Sequence, residues 1–153
     1  MDEAGAVTSR ETLALLFRSV HDGFRNQVKG LDREALNWHP AAGANSIAIL
    51  VTHTLGSERE MIRAVRSLTT ERDRDAEFRA EADANQLLVM LDRADREVEE
   101  HVKSLTPSDL SDLRPRGDRP PRKGIEWLIS NYGHAREHLA QVELTKQLYE
   151  SRR

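Results

Sequence analysis

Four stretches of the sequence carry apolar residues at the spacing of an α-helix, and this pattern constrains the fold more than any other feature. The four predicted helices cover about residues 9–29, 46–68, 87–105 and 124–149. Each has one apolar face, which must be buried against another element. Helices of this kind pack against one another as a bundle. The sequence therefore predicts an all-α fold, a four-helix bundle, with no strand and no internal repeat.

Capping residues mark where the first two predicted helices begin. Thr8 or Ser9 can cap the first helix, and Gly30 can stop it. Asn45 or Ser46 can cap the second helix in the same way. These signals fix the ends of the helices more closely than the apolar pattern alone does.

Two longer connections separate the predicted helices. Residues 69–81 are polar and charged, so we predict a linker there. Residues 106–123 contain four prolines and Gly117, which exclude a regular helix. We predict a long loop between the third and fourth helices, of the kind that covers one end of a bundle and often acts as a lid.

Composition narrows the class of protein. The 153 residues suit one domain, residues 1–153, and the net charge of −3 does not favour a nucleic-acid or membrane partner. There is no cysteine, so the chain has no disulfide, no thiolate metal cluster and no cysteine nucleophile. No membrane span or signal-peptide core is evident, so we expect a cytoplasmic protein. Arginine outnumbers lysine and alanine is common, which is typical of GC-rich bacterial genomes.

Two histidines in the fourth predicted helix point to metal chemistry. His134 and His138 lie four residues apart, which places both imidazoles on one helix face. Such a pair can share one divalent metal ion, but an open catalytic site usually needs a third protein ligand. His21, His39, His53 and His101 are the candidates. We favour His53, because the small residues Gly56 and Ser57 one turn further leave an open helix face beside it.

The order of these motifs resembles the DinB-like superfamily. The resemblance rests on Asn45-Ser46-Ile47 at the start of the second helix, on His53 and Glu58 within it, and on His134-x-x-x-His138. The approach Leu36-Asn37-Trp38-His39-Pro40 is also similar to that family. The superfamily includes mycothiol-dependent maleylpyruvate isomerases and related thiol-dependent transferases.

This resemblance implies a four-helix bundle that binds one divalent metal, zinc or nickel, through His53, His134 and His138. It also implies a small-molecule substrate, a low-molecular-weight thiol such as mycothiol or bacillithiol as cofactor, and a homodimer, since family members often form one. The expected activity is that of a thiol S-transferase or isomerase. A metal-dependent hydrolase and a non-catalytic metal- or ligand-binding bundle stay open as alternatives.

Two further features have a functional and a structural interpretation. Glu58 is a carboxylate on an apolar stripe, and we predict that it is a catalytic residue, a hydrogen-bond acceptor or proton shuttle next to the metal. The alternative is a salt bridge from Glu58 to Arg25 or Arg136. The arginine-rich run 114–119 reads as a mobile, solvated loop, or as a binding element for a carboxylate of the thiol or substrate.

Overall fold

The computed structural model describes residues 1–152, and within them the chain is mostly helical. The helices are α1 (Glu3–Val28), α2 (Arg33–Asn37), α3 (Ile47–Val65), α4 (Arg74–Glu77), α5 (Ala84–Glu97), α6 (Pro107–Ser111) and α7 (Gly124–Ser151). A π-helical turn (Val98–Val102) extends α5, and two strands, β1 (Leu113–Arg116) and β2 (Arg119–Lys123), form an antiparallel hairpin. Of the predicted domain 1–153, Arg153 lies outside the described residues.

The four predicted helices correspond to α1, α3, α5 and α7, with one correction at the start of the first. Helix α1 begins at Glu3, because the side chain of Asp2 accepts a hydrogen bond from the backbone N–H of Gly5 at 2.8 Å. The predicted caps Thr8 and Ser9 therefore lie inside the helix. The Ser46 cap of α3 is confirmed, since its hydroxyl accepts a hydrogen bond from the N–H of Ile49.

The long helices contact one another and bury most of the apolar residues. Helix α7 packs against α3 and α1, and α5 also packs against α1 and α3. The buried apolar residues form two clusters stacked along the helix axes, one around Phe24 and Leu50 and the other around Phe17 and Ile62. None of the helices in residues 1–152 has the length and apolar character needed to cross a membrane.

Helices α3 and α7 are antiparallel, which can be followed along their contact. The rings of His53 and His138 lie near each other, Ser57 reaches Asn131, and Val65 lies beside Gly124. Residue numbers therefore rise along α3 as they fall along α7. The contacts between α3 and α7 therefore form successive layers. His53 and His138 lie in one layer, and Ser57 and Asn131 lie in the next.

The segment predicted to be a long irregular loop contains α6 and the hairpin, so the prediction of no strand is wrong. The strands carry arginine and proline instead of alternating apolar residues, and β2 is exposed throughout, so they lack the pattern of a half-buried strand. Proline is tolerated there because β2 is an edge strand. Gly117, with φ of 57°, supplies the tight turn between the strands.

The hairpin is held against α7 and α3, so residues 114–119 form part of a docked β-hairpin and not the predicted loop, although four of the six are exposed as predicted. The indole N–H of the buried Trp127 donates a hydrogen bond to the carbonyl oxygen of Arg114 at 2.9 Å. The guanidinium groups of Arg116 and Arg122 lie over the same indole ring, 6.0 and 5.1 Å from its centre. Arg116 also forms a 3.0 Å ion pair with Glu60 of α3.

Candidate metal centre

Three histidines converge between α3 and α7. Each of His53, His134 and His138 offers one ring nitrogen, and these nitrogens all lie within 4.8 Å of one another. The Nε2 atoms of His134 and His138 are 2.9 Å apart. The centre of the His53 ring is 5.4 Å from that of His134 and 5.3 Å from that of His138. The structure thus brings together the three residues that the sequence singled out.

Helix geometry accounts for this convergence. His134 and His138 are one turn apart on the same face of α7, so their rings meet edge to face, with centres 4.3 Å apart. His53 enters from the facing side of α3 and is buried, with 7% of its surface exposed. The rings of His134 and His138 are half-buried, so the group is reachable from solvent on the α7 side.

Local electrostatics keep two of these imidazoles neutral. Burial, together with the neighbouring His138 and His53 and the guanidinium groups of Arg72 and Arg116, lowers the pKa of His134 to about 4. Burial also lowers the pKa of His53, although the hydrogen bond to Glu77 works in the opposite direction. A metal binds only the unprotonated ring nitrogen, so at neutral pH these lone pairs are available.

Glu77 orients His53. One carboxylate oxygen of Glu77 lies 3.0 Å from Nδ1 of His53, so Nδ1 donates its hydrogen and Nε2 keeps the free lone pair. This carboxylate–histidine arrangement is common in metal sites, where it fixes the tautomer and makes the ring a stronger ligand. His138 has a similar partner, because its Nδ1 lies 2.7 Å from the amide oxygen of Gln141. The other ring nitrogen of His138, Nε2, faces His134.

Arg72 holds Glu77 in place. Its guanidinium group makes two hydrogen bonds to the Glu77 carboxylate, at 2.7 and 2.8 Å. The same group donates to Glu60 at 2.8 Å, and Glu60 also accepts from Arg116 of the hairpin. A chain of charged hydrogen bonds therefore leads from His53 through α4 to β1, and it joins the segments that flank the histidines.

Gly56 makes room for this carboxylate. A Cβ atom at residue 56 would lie 2.0 Å from one oxygen of Glu77 and 2.8 Å from its carboxyl carbon, which is closer than real Cβ contacts. Only glycine lets Glu77 cross α3 at this point and reach His53. Phe78 then covers one face of the His53 ring, with ring centres 4.8 Å apart.

The three histidines suit one divalent metal ion. An ion bound to nitrogen at about 2.0–2.1 Å with tetrahedral angles needs nitrogen atoms about 3.4 Å apart, which small ring rotations would give from the observed spacing. Three imidazoles without thiolates or carboxylates are typical of sites with an open position. The described residues therefore fit a catalytic type of site better than a closed structural one.

Glu58 lies in a different environment from the one predicted. Its carboxylate is buried and hydrogen-bonds to Nε2 of His21, at 2.8 and 3.1 Å. The alternative prediction of a salt bridge to Arg25 or Arg136 is wrong, because the partner is a histidine and Arg25 pairs with aspartates of α1 and α5. The carboxylate next to a candidate ligand is Glu77, and a role for Glu58 at the metal stays a prediction.

Sequence reasoning missed Glu77, Arg72 and the supporting role of Gly56. Asp73 caps α4 through its side chain, which was a visible signal for a short helix around Glu77. Nothing in the sequence pairs residue 77 with residue 53, since that contact depends on how the linker folds back over α3. Of the other histidines, His39 is exposed in its loop, whereas His21 and His101 are buried.

Comparison with known proteins agrees with this description. A family model described as the DinB superfamily matches residues 16–142. A crystal structure of a conserved protein from Enterococcus faecalis superposes with a TM-score of 0.76, covers 90% of this chain and 95% of that one, and is 17% identical. At that identity the likeness shows a shared fold alone. No curated protein matches the chain at a significant level.

Proposed function

We propose, because the chain belongs to the DinB superfamily, that it is a metalloenzyme that binds one divalent ion, zinc or nickel, through His53, His134 and His138. The proposed reaction joins the sulfur of a low-molecular-weight thiol, such as mycothiol or bacillithiol, to a small electrophilic substrate. Alternatively, the thiol serves as the cofactor for isomerisation of that substrate. The observation that carries the proposal is the convergence of three imidazole nitrogens within 4.8 Å, from two helices that the fold holds together.

The absence of cysteine from the chain fits this chemistry. A bound divalent metal strongly favours the ionised form of a thiol, so a thiol delivered from outside would be a nucleophile at neutral pH. The protein then has to hold the ion, orient its ligands and admit the substrate. Glu77 and Gln141 support the orientation, since each faces the outer nitrogen of a histidine.

The hairpin arginines support an anionic group on the thiol or substrate. Arg116 lies close enough to His134 to lower its pKa, and it is only partly covered, with 27% of its side chain exposed. Arg122 covers the indole of Trp127 on the exposed strand β2. We propose that the hairpin beside α3 and α7 binds a carboxylate, because guanidinium groups pair well with carboxylates.

We propose that α1, α3, α5 and α7 form the four-helix bundle of the family. Exposed apolar residues on α7, among them Ile129, Leu144 and Leu148, would suit a homodimer contact. We also propose a cytoplasmic location, where low-molecular-weight thiols stay reduced.

Metal analysis followed by a turnover assay tests the proposed function. Protein purified without a polyhistidine tag is expected to contain about one equivalent of zinc or nickel per chain. With that metal it is expected to accelerate the reaction of a low-molecular-weight thiol with an electrophilic acceptor, and a chelator should stop the reaction. Metal without turnover of thiols or esters would indicate a non-catalytic site, ester hydrolysis alone would indicate a hydrolase, and no metal at all would contradict the proposal.

The Gly56→Ala substitution is expected to weaken metal binding. An added methyl group would displace the Glu77 carboxylate, which would lie only 2.0 Å away, and His53 would lose the partner that orients it. Loss of such a partner typically lowers metal affinity by about 10–100-fold. The dissociation constant for zinc, measured by competition with a coloured chelator, reports the effect.

Gly133→Ala is the matched control. Gly133 lies in α7 next to His134, and a Cβ there would meet no atom within 4 Å. This change should leave the dissociation constant unchanged and should stabilise the helix by up to about 1 kcal/mol. Equal affinities in the two variants would mean that Glu77 has no role in metal binding.

A further inference from the structure

Asn131 of α7 has a buried hydrogen-bond acceptor without a partner. Its side chain is 5% exposed, and its amide nitrogen donates to the hydroxyl oxygen of Ser57 in α3 at 3.1 Å. Its amide oxygen Oδ1 is buried and has no hydrogen-bond partner among residues 1–152. Ser57 is also buried, at 7% exposure, so the pair is a fixed polar contact inside the helix interface.

The position of this pair relates it to the three histidines. Asn131 precedes His134 by three residues and His138 by seven, so all three lie on one face of α7. Ser57 follows His53 by four residues and lies one turn further along α3. The Asn131–Ser57 contact is therefore the next layer of the α3–α7 interface, about one helical turn, or roughly 5 Å, from the layer of the histidines.

An unpaired buried acceptor needs a reason. Buried polar groups in native proteins almost always have a partner, and the exceptions often lie at binding or catalytic sites. The hydrogen bond from the amide nitrogen to Ser57 fixes the amide group, so the nitrogen is occupied and Oδ1 is the free acceptor. The free acceptor is thus held in a fixed amide group in the layer next to the three histidines.

We propose that Asn131 is a positioning residue whose Oδ1 accepts a hydrogen bond from an O–H or N–H group held in the open position of the metal. This inference rests on the proposed function. With a metal bound, the donor would be a water molecule in the open position or, when one is bound there, a donor group of the thiol or substrate. Asn131 would then select ligands that carry a donor next to the atom that binds the metal.

Cobalt substitution gives a readout that does not depend on turnover. The visible spectrum of Co²⁺ in such a site changes when a bound water molecule loses a proton. We would record this spectrum from pH 5 to pH 10 for the wild type, Asn131→Leu and Asn131→Asp. Leucine keeps the size of the side chain without the acceptor, whereas aspartate keeps the acceptor and adds a negative charge.

The two variants are expected to shift the midpoint in opposite directions. Without the acceptor the bound water loses a partner that favours its protonated form, so Asn131→Leu should lower the midpoint by about half a pH unit or more. The carboxylate of Asn131→Asp should raise the midpoint by about one pH unit or more. Because Asn131 is not a ligand, zinc affinity in the leucine variant should stay within about twofold of the wild type.

Each other outcome overturns the inference. An unchanged midpoint in Asn131→Leu would mean that Oδ1 binds an ordinary buried water that is independent of the metal. A shift in Asn131→Asp alone would mean that a charge at this position acts through space without a hydrogen bond. A wild-type protein that binds cobalt but shows no transition would mean that no such water is held there. Failure of the wild type to bind any metal would overturn the proposed function itself and is recognised before the variants are compared.

Discussion

The His138→Ala protein is expected to fold and to lose its metal-dependent stabilisation. Zinc at 100 times its dissociation constant should raise the free energy of unfolding of the wild type by about 2.7 kcal/mol, which is a rise in Tm of roughly 5–10 °C. Removing one of three ligands should lower zinc affinity by more than about 100-fold, because even the loss of a supporting group costs about 10–100-fold. At the same zinc concentration the variant would then gain about 0.4 kcal/mol or less. Thermal unfolding with zinc and with a chelator measures the difference.

His39→Ala is the control for this experiment. His39 is exposed, bonds through Nδ1 to the carbonyl oxygen of Ala44 and lies in the connection before α3, outside the group of three histidines. The His39→Ala variant should keep the full zinc-dependent rise in Tm.

In the absence of metal, His138→Ala should be close to the wild type in stability, because the His138 side chain is half-buried and its removal opens no deep cavity. A zinc-dependent shift of wild-type size in His138→Ala would mean that His138 is not a ligand.

The apolar pattern predicted the four long helices well, because each has a continuous stripe that must be buried. It also led to the three histidines, since an i, i+4 pair on one helix and an open face on another are visible in the sequence. The first residue of α1 was misplaced because Thr8, Ser9 and Asp2 are all good caps. Only the fold decides which cap is used, and residues 4–7 form helical hydrogen bonds from the Asp2 start.

The supporting residues were harder to predict because they depend on tertiary contacts. Glu77 lies in a stretch so polar that it reads as a linker, and its role depends on Gly56 leaving space on another helix. The hairpin lacks alternating apolar residues, and its docking depends on Trp127 and Glu60, which lie outside it. Local sequence cannot report stabilisation that comes from elsewhere in the chain.

Glu58 was singled out correctly as unusual, but its partner was not identified. A carboxylate on an apolar stripe must be paired if it is buried, and the sequence offered several cations as partners. The structure pairs it with His21, which lies 37 residues earlier and is fully buried. The spacing of His21 at the edge of the α1 stripe gave no indication that α3 and α5 both place carboxylates against it.

His21 lies in the core between two carboxylates, those of Glu58 and Asp95. Nδ1 of His21 lies 2.7 Å from Asp95, and Nε2 lies 2.8 Å from Glu58. Both ring nitrogens face carboxylate oxygens, so both carry hydrogen and the ring is positively charged. Burial alone would lower the pKa of His21, but Glu58 and Asp95 outweigh it and raise that pKa to about 9.

Stability of the metal-free protein is therefore expected to fall as the pH rises from about 6.5 to about 9. The pKa of His21 is higher in the folded state than the ordinary value of 6.5, so the folded state binds the proton more tightly in this range. The stabilisation is complete below pH 6.5 and is lost as the pH rises through 9. A difference of this size corresponds to about 3 kcal/mol. Urea unfolding at a series of pH values measures it, with a chelator present throughout.

His21→Leu and the double variant, His21→Leu with Glu58→Leu, separate charge pairing from packing. His21→Leu should cost about 3–5 kcal/mol near pH 7, because it leaves the Glu58 carboxylate buried without a cation, and burial already raises the pKa of Glu58. The double variant replaces the pair with apolar groups and should recover most of that loss. His21→Leu and the double variant should both lose the decline in stability between pH 6.5 and 9, whereas His39→Ala should keep it. A decline that persists in His21→Leu would place the titrating group elsewhere and would contradict a charged His21 in the core.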